Sequence, residues 1–154
     1  MVKIELGDIL DIDHGIILHQ VNCQNAIGAG ISGAIINKYP IVAEKYHELC
    51  KEGVKLGQLQ YVGTGTGVGF VNCFSQYNYG NSAKTGIKYT NEDLLIDGII
   101  YTCEYFAVSD WPVYVPWKVG CGLAGGNWST VLTGIVDRSE HIDNLTIVKY
   151  CSSD

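Results

Sequence analysis

The sequence predicts one α/β domain in which helices cover a mixed β-sheet. Strand-like runs alternate with segments of helical periodicity along all 154 residues, and no linker-like stretch interrupts them. Apolar residues make up 47% of the chain and charged residues only 17%, which provides enough apolar sequence for one packed core. The glycines cluster at 28–33, 63–69 and 120–126, where they predict shaped turns between the elements.

The first half of the chain predicts two strands followed by two helices. Residues 2–6 alternate apolar with charged side chains, as in an edge strand, whereas 16–21 (IILHQV) are mostly apolar and fit a central strand buried on both faces. From Gly30 the apolar residues recur at helical spacing until Pro40 interrupts, and the helical pattern resumes over 41–50.

The second half begins with a predicted hairpin, because strands 58–62 and 69–74 flank the turn GTGTG. The polar stretch 75–89 predicts a loop. Thr90 is a candidate cap for the next helix, with Glu92 and Asp93 in its first turn. The remaining predicted elements are a helix face of Leu94, Leu95, Ile99, Cys103 and Phe106, a strand at 113–116, a helix whose inner face carries Val131, Leu132, Ile135 and Val136, and a strand at 144–150.

Charge and cysteine usage exclude several classes of function. The net charge is −6 with only ten Lys and Arg, so we expect no extended nucleic-acid surface. The six cysteines lack the spacing of a metal site, and we expect reduced thiols and no metal. No apolar run approaches the ~20 residues of a membrane span. We therefore expect a soluble cytoplasmic protein.

Two glycine-rich turns are the strongest functional signal. HQVNCQNAIGAGISGAI (19–35) and VGCGLAGGNW (119–128) each follow a predicted strand and precede a helix. Such turns direct backbone N–H groups at an anion over a helix N-terminus, and side-chain cations are scarce here. The pair favours a nucleotide diphosphate as ligand. Gly28–Gly33 also reads G-x-G-x-x-G, but no acidic residue follows on a second strand, which argues against a dehydrogenase.

These motifs, with GDIL at 7–10, resemble the macro domain family, which binds ADP-ribose. The pattern is most similar to small stand-alone macro domains such as ADP-ribose-1″-phosphate phosphatases and terminal ADP-ribose glycohydrolases. The resemblance implies one macro domain over 1–154, in which a mixed sheet lies between helical layers in a three-layer α/β/α arrangement. It also implies that the ligand lies across the strand ends.

The resemblance assigns binding roles by position. Asp8 would accept a hydrogen bond from the adenine amino group beside the Ile9 backbone, although a turn-capping carboxylate is the alternative. Asn22 would lie near the distal ribose. The two loops and one aromatic side chain complete the implied contacts: Gly28, Ala29, Gly30, Ile31 and Ser32 in the first loop, Gly120, Cys121, Gly122, Leu123, Ala124 and Gly125 in the second, and Trp128.

Catalysis is less well defined by the sequence. The candidate catalytic residues are Asn22, His19 and Lys84, and the alternative for His19 is a buried core histidine. Ala124 stands where related glycohydrolases carry an acidic residue. We expect a hydrolase acting at the distal ribose without a cofactor, and the alternative is a reader that only binds. Expected partners are ADP-ribose or an ADP-ribosylated small molecule, protein or nucleic-acid end, bound by a monomer.

Overall fold

The structure, a computed structural model, describes residues 1–151 and contains a six-stranded sheet between two layers of helices. The strands are β1 (Lys3–Leu6), β2 (Gly15–Asn22), β3 (Leu59–Gly63), β4 (Val68–Gln76), β5 (Val113–Pro116) and β6 (Leu145–Lys149). The helices are a 3₁₀ turn at Ile9–Asp11, α1 (Gly30–Lys38), α2 (Pro40–Glu52), α3 (Ser82–Thr85), α4 (Glu92–Ala107) and α5 (Trp128–Arg138). Residues 152–154 of the predicted domain lie outside the described residues.

The sheet is mixed, as predicted. Its strand order is β1-β6-β5-β2-β4-β3. The first five strands in this order are parallel, and only β3 runs antiparallel, paired with β4 across the predicted hairpin. The C-terminal ends of five strands therefore lie along one edge of the sheet, which is where ligands bind in open α/β sheets.

Alternate residues of β2 face the two helical layers, which confirms the three-layer arrangement. Ile16 and Leu18 pack into a core that includes Leu95 of α4. Ile17, which points to the other face, packs with Ile35 of α1. All eight residues of β2 are buried, as predicted for a central strand. His19 and Gln20 therefore extend into opposite layers of the protein.

Three local predictions were wrong. The segment 75–89 is not all loop, since β4 continues to Gln76 and α3 forms a short helix within it. Asn91, rather than Thr90, caps α4 by accepting a hydrogen bond from the Leu94 N–H. Val136 on α5 is 55% exposed, because the buried face of this helix is formed by Val131 and Ile135.

No helix within residues 1–151 combines the length and the apolar character needed to cross a membrane. Within the same range, no group of three or more His, Cys, Asp or Glu side chains is arranged to hold a metal ion.

Candidate functional site

A cavity of about 1090 Å³ opens at the C-terminal ends of the five parallel strands. Asp8 follows β1 at one end of this row, and Gln76 closes β4 at the other. Four interstrand spacings of ~4.8 Å separate these strands, giving roughly 19 Å along the sheet edge. The cavity is therefore suited to an elongated ligand. The predicted residues that line it are Asp8, Ile9, Asn22, Gly28, Ala29, Gly30, Ile31, Ser32, Gly120, Cys121, Gly122, Leu123 and Ala124.

The first glycine loop leads into an uncapped helix N-terminus at the cavity wall. Ala29 is the N-cap of α1 and supplies no side-chain hydrogen bond to the first turn. The backbone N–H groups from Ile27 to Ser32 donate to no other residue of the described chain. Gly30 has φ +56°, a conformation that a side chain at this position would strain. Unpaired N–H groups and the helix dipole together favour an anion at this wall.

The second glycine loop presents a similar set of donors. Within residues 1–151, the N–H groups of Gly122, Leu123 and Ala124 have no protein acceptor. The carbonyls of Leu123 and Ala124 point the other way and accept from the Ser82 and Tyr89 N–H groups, respectively. The carbonyl groups of this loop are therefore bonded to the protein, whereas its N–H groups are available to a ligand.

At the β1 end, Asp8 and Ile9 form an acceptor and donor pair. Asp8 caps the 3₁₀ turn, because its Oδ1 accepts from the Leu10 N–H at 2.9 Å. Asp8 therefore does cap a turn, through the Leu10 N–H, and the same side chain also lines the cavity. Its Oδ2 and the Ile9 N–H are without hydrogen-bond partners in the described part of the chain.

Asn22 lines the cavity, but its amide is already engaged. Its Oδ1 accepts from the Gln24 N–H at 2.9 Å and from the Tyr46 hydroxyl at 2.9 Å, and its Nδ2 donates to the Ala26 carbonyl at 2.5 Å. These bonds fold the start of the first loop back onto the end of β2. The structure therefore gives Asn22 a loop-holding role that the sequence did not predict.

His19 does not line the cavity, in contrast to the prediction that it acts catalytically. Its side chain is fully buried between Ser32 and Asn72: Nδ1 is 2.8 Å from Ser32 Oγ, and Nε2 is 2.5 Å from Asn72 Oδ1. Because the Asn72 oxygen is an acceptor, Nε2 carries the proton and Nδ1 accepts from the Ser32 hydroxyl. Burial lowers the pKa of His19 to about 4, despite the opposing effect of the Asn72 hydrogen bond. The neutral ring thus attaches the first turn of α1 to β2, which is the core-histidine alternative.

Lys84, Gly125 and Trp128 also lie outside the cavity wall. Lys84 is exposed on α3. A Cβ at Gly125 would lie 2.2 Å from Ser82 Oγ, so this glycine packs against α3. Trp128 begins α5 and packs edge-on against Trp117, with ring centroids 5.0 Å apart. None of these three residues is part of the cavity wall, so the geometry of the cavity does not support the roles predicted for them.

Lys88, four residues after Lys84, forms an ion pair outside the cavity. Its Nζ lies 2.7 Å from Glu92 Oε1. Both residues line a separate, smaller cleft.

Several lining residues were not predicted as site residues. Lys118 follows β5, has φ +61°, and is the one Lys or Arg in the cavity wall within residues 1–151. Gln20 and Gln76 contribute amides at the ends of β2 and β4, and Tyr150 follows β6 and is 74% exposed. Each of these four residues lies within two positions of the C-terminal end of a strand, which is a signal that the sequence carries. The strand order that brings them together is set by the tertiary structure.

The thiol of Cys121 is unsuited to act as a nucleophile at neutral pH. Burial and the Glu92 carboxylate raise the pKa of Cys121 to about 11, and Lys118 opposes this only in part. The sulfur donates to the Val119 carbonyl at 3.3 Å. A protonated thiol is a poor nucleophile, so Cys121 contributes a small, uncharged wall to the cavity.

Comparisons with solved structures identify the fold. The macrodomain of Mycobacterium tuberculosis DarG is 24% identical, with 97% of each chain covered and a TM-score of 0.78. A Streptomyces coelicolor macrodomain protein is 21% identical, with 98% of this chain and 100% of that chain covered and a TM-score of 0.76. Thermosipho africanus DarTG, solved in complex with ADP-ribose, is 16% identical over 99% of this chain and 42% of its own, with a TM-score of 0.76.

Neither protein-family models nor curated protein sequences gave a match. The structural likeness extends over nearly the whole chain, and it includes the mixed sheet and the helical layers described above. The protein has the macrodomain fold.

Proposed function

We propose that the protein binds ADP-ribose in the cavity at the strand ends. The observation that carries this proposal is that two glycine loops present unpaired N–H groups to the same cavity. Backbone donors at a helix N-terminus suit a diphosphate, and the length of the cavity suits a ligand with a nucleoside at one side and a sugar at the other. The DarTG structure, which contains ADP-ribose, supports the same ligand class.

The strand order suggests the orientation of the ligand. The acceptor and donor pair of Asp8 and Ile9, at the β1 end, suits the edge of an adenine. The diphosphate would lie between the first turn of α1 and the second glycine loop, with Lys118 as the nearby cation. The distal ribose would then extend toward Gln76, the last residue of β4, and Tyr79, which lies three residues beyond it.

Hydrolysis of an ADP-ribose derivative at the distal ribose is the second candidate. Unpaired N–H groups are present not only in the first turn of α1 but also at Ile27 and Gly28, which precede it, and at Gly122–Ala124 in the second loop. Together these are more donors than one diphosphate requires. Such donors could hold a 1″-phosphate and stabilise the charge that develops when water attacks it. The buried position of His19 and the exposed position of Lys84 weigh toward the reader alternative, in which the ligand is bound unchanged.

A phosphorus NMR experiment tests both candidates. With ADP-ribose, binding is expected to shift or broaden the diphosphate signals. With ADP-ribose 1″-phosphate, a hydrolase converts the monoester signal into free phosphate, whereas a reader shifts the signals and leaves the monoester intact. Unchanged spectra with both ligands at millimolar protein would overturn the proposed binding.

Asp8→Asn is expected to change the preference for the base. Asparagine retains an oxygen that can cap the Leu10 N–H, but it turns an NH₂ donor toward the cavity. We expect affinity for ADP-ribose to fall about tenfold, because the asparagine NH₂ would then face the adenine amino group and neither group would accept a hydrogen bond. The hypoxanthine analogue, which carries a carbonyl in place of the amino group, should bind the variant at least as well as it binds the wild type. Titration calorimetry with both ligands measures this, and an equal loss for both would remove the adenine assignment.

A further inference from the structure

A buried chain of hydrogen bonds extends from the end of β4 to the second glycine loop. Ser75 Oγ donates to Gln20 Oε1 at 2.5 Å, and Gln20 Nε2 donates to Thr90 Oγ1 at 2.8 Å. Thr90 Oγ1 then donates to the Gly120 carbonyl at 2.5 Å. Gln20 Nε2 also donates to Gln76 Oε1 at 2.8 Å. Each polar group along this chain has its partner, and hydrogen bonds in series polarise one another in a buried setting.

The last acceptor of this chain closes the second glycine loop. The Gly120 carbonyl receives both the Thr90 hydroxyl and the Gly126 N–H, the latter at 3.0 Å, so one oxygen joins the two ends of the loop. Gly120 has φ +72°, and a Cβ there would lie 2.9 Å from Leu95 Cδ2. The space around this peptide is therefore filled, and its carbonyl direction is fixed by its two donors.

Thr90 acts from outside the ligand cavity. It is 3% exposed and lines the separate cleft rather than the cavity itself. Its hydroxyl is not needed to begin α4, because Asn91 caps that helix. The backbone N–H of Thr90 bonds to the Ala124 carbonyl at 3.3 Å, and this bond does not depend on the side chain. The hydroxyl thus has one structural connection of its own, which is the link between Gln20 and Gly120.

We propose that Thr90, oriented by Gln20, is a positioning residue for the second glycine loop. Its hydroxyl holds the Gly120 carbonyl so that the N–H groups of Gly122, Leu123 and Ala124 stay directed at the ligand. The effect on affinity rests on the proposed ADP-ribose function, whereas the effect on loop order does not. The two effects are therefore measured separately.

The binding test compares Thr90→Val, Thr90→Ser and Thr102→Val. Thr90→Val keeps the shape of the side chain but removes the donor and leaves Gln20 Nε2 one acceptor short. We expect about tenfold weaker ADP-ribose binding, since an unmade buried hydrogen bond has an effect of this order. Thr90→Ser retains the hydroxyl and should bind as the wild type does. Thr102→Val is the matched control, because Thr102 is 2% exposed and its hydroxyl bonds to the Gly98 carbonyl within α4, away from the cavity.

The loop-order test uses amide hydrogen exchange of the ligand-free protein, followed by NMR. The Gly126 N–H, which is bonded to the Gly120 carbonyl, should exchange about tenfold faster in Thr90→Val than in wild type. Amides of β4 provide the reference for global unfolding, and thermal denaturation checks that each variant is folded. Thr90→Ser and Thr102→Val should leave the Gly126 exchange relative to β4 unchanged.

The outcomes separate the two proposals. If wild-type protein does not bind ADP-ribose, the proposed function fails, and the exchange of Gly126 still decides whether Thr90 positions the loop. If Thr90→Val binds ADP-ribose and protects Gly126 as well as the wild type does, the positioning role is overturned. Equal losses in Thr90→Ser and Thr90→Val would also overturn it, because the hydroxyl would then not be the group that matters.

Discussion

Replacing Gly122 by valine is expected to lower affinity for ADP-ribose at least about 100-fold without unfolding the chain. Gly122 lines the cavity, and a Cβ at this position would meet no protein atom within 4 Å. Its φ lies outside the left-handed region, so a side chain adds no backbone strain. The valine methyl groups would occupy the space beside the loop N–H groups. Loss of charge-assisted hydrogen bonds to a diphosphate corresponds to about 3 kcal/mol of binding free energy.

Titration calorimetry and thermal denaturation measure this prediction. Gly122→Ala should give a smaller loss of affinity, since one methyl group intrudes less than three carbon atoms. Gly65→Asn is the control for an added side chain at a glycine turn: Gly65 lies in the β3–β4 hairpin with no atom within 4 Å of its Cβ position, and asparagine tolerates its φ of +77°. Wild-type affinity in Gly122→Val, with the fold intact, would contradict a ligand site at the second loop.

The free energy of unfolding is expected to decrease as pH falls from 7 to 4, in part through His19. Burial lowers the pKa of His19 in the folded protein to about 4, whereas an unfolded histidine titrates near 6.5. Between these values the unfolded chain binds a proton that the folded protein does not, so acid favours unfolding. The difference of about 2.5 between the two pKa values corresponds to about 3 kcal/mol of unfolding free energy. This contribution is present at pH 7 and is lost by the time the pH has fallen to the folded-state pKa.

Urea denaturation at several pH values between 7 and 4 measures this contribution. His19→Gln is expected to lower the free energy of unfolding at pH 7, because the hydrogen bonds to Ser32 and Asn72 change. Between pH 7 and pH 4, however, the variant should lose about 3 kcal/mol less unfolding free energy than the wild type. His14→Gln is the control, since His14 is exposed and stacks on Trp111. Parallel pH profiles for wild type and His19→Gln would show that His19 is not held neutral by burial.

Local sequence was sufficient for most secondary-structure elements of this protein. Apolar periodicity and proline placement predicted the strands, the hairpin and the break between α1 and α2, because these depend on neighbours within a few residues. The failures came where local signals compete. Thr90 and Asn91 are both good caps, and tertiary contact with Gly120 decided between them. Val136 continues an apolar pattern, but the crossing of α5 over the sheet leaves it exposed.

The sequence by itself determined the glycine loops and the backbone donors they carry, since glycine, a preceding strand and a following helix are all local features. The tertiary structure alone decided which side chains share the cavity. His19 and Gln20 are adjacent in the chain, yet the alternation of β2 directs one toward Ser32 and the other toward Thr90. Strand order likewise brings Asp8, Lys118 and Gln76 to one sheet edge across large separations in sequence. Such long-range pairing depends on packing of the whole sheet, which no short window of sequence encodes.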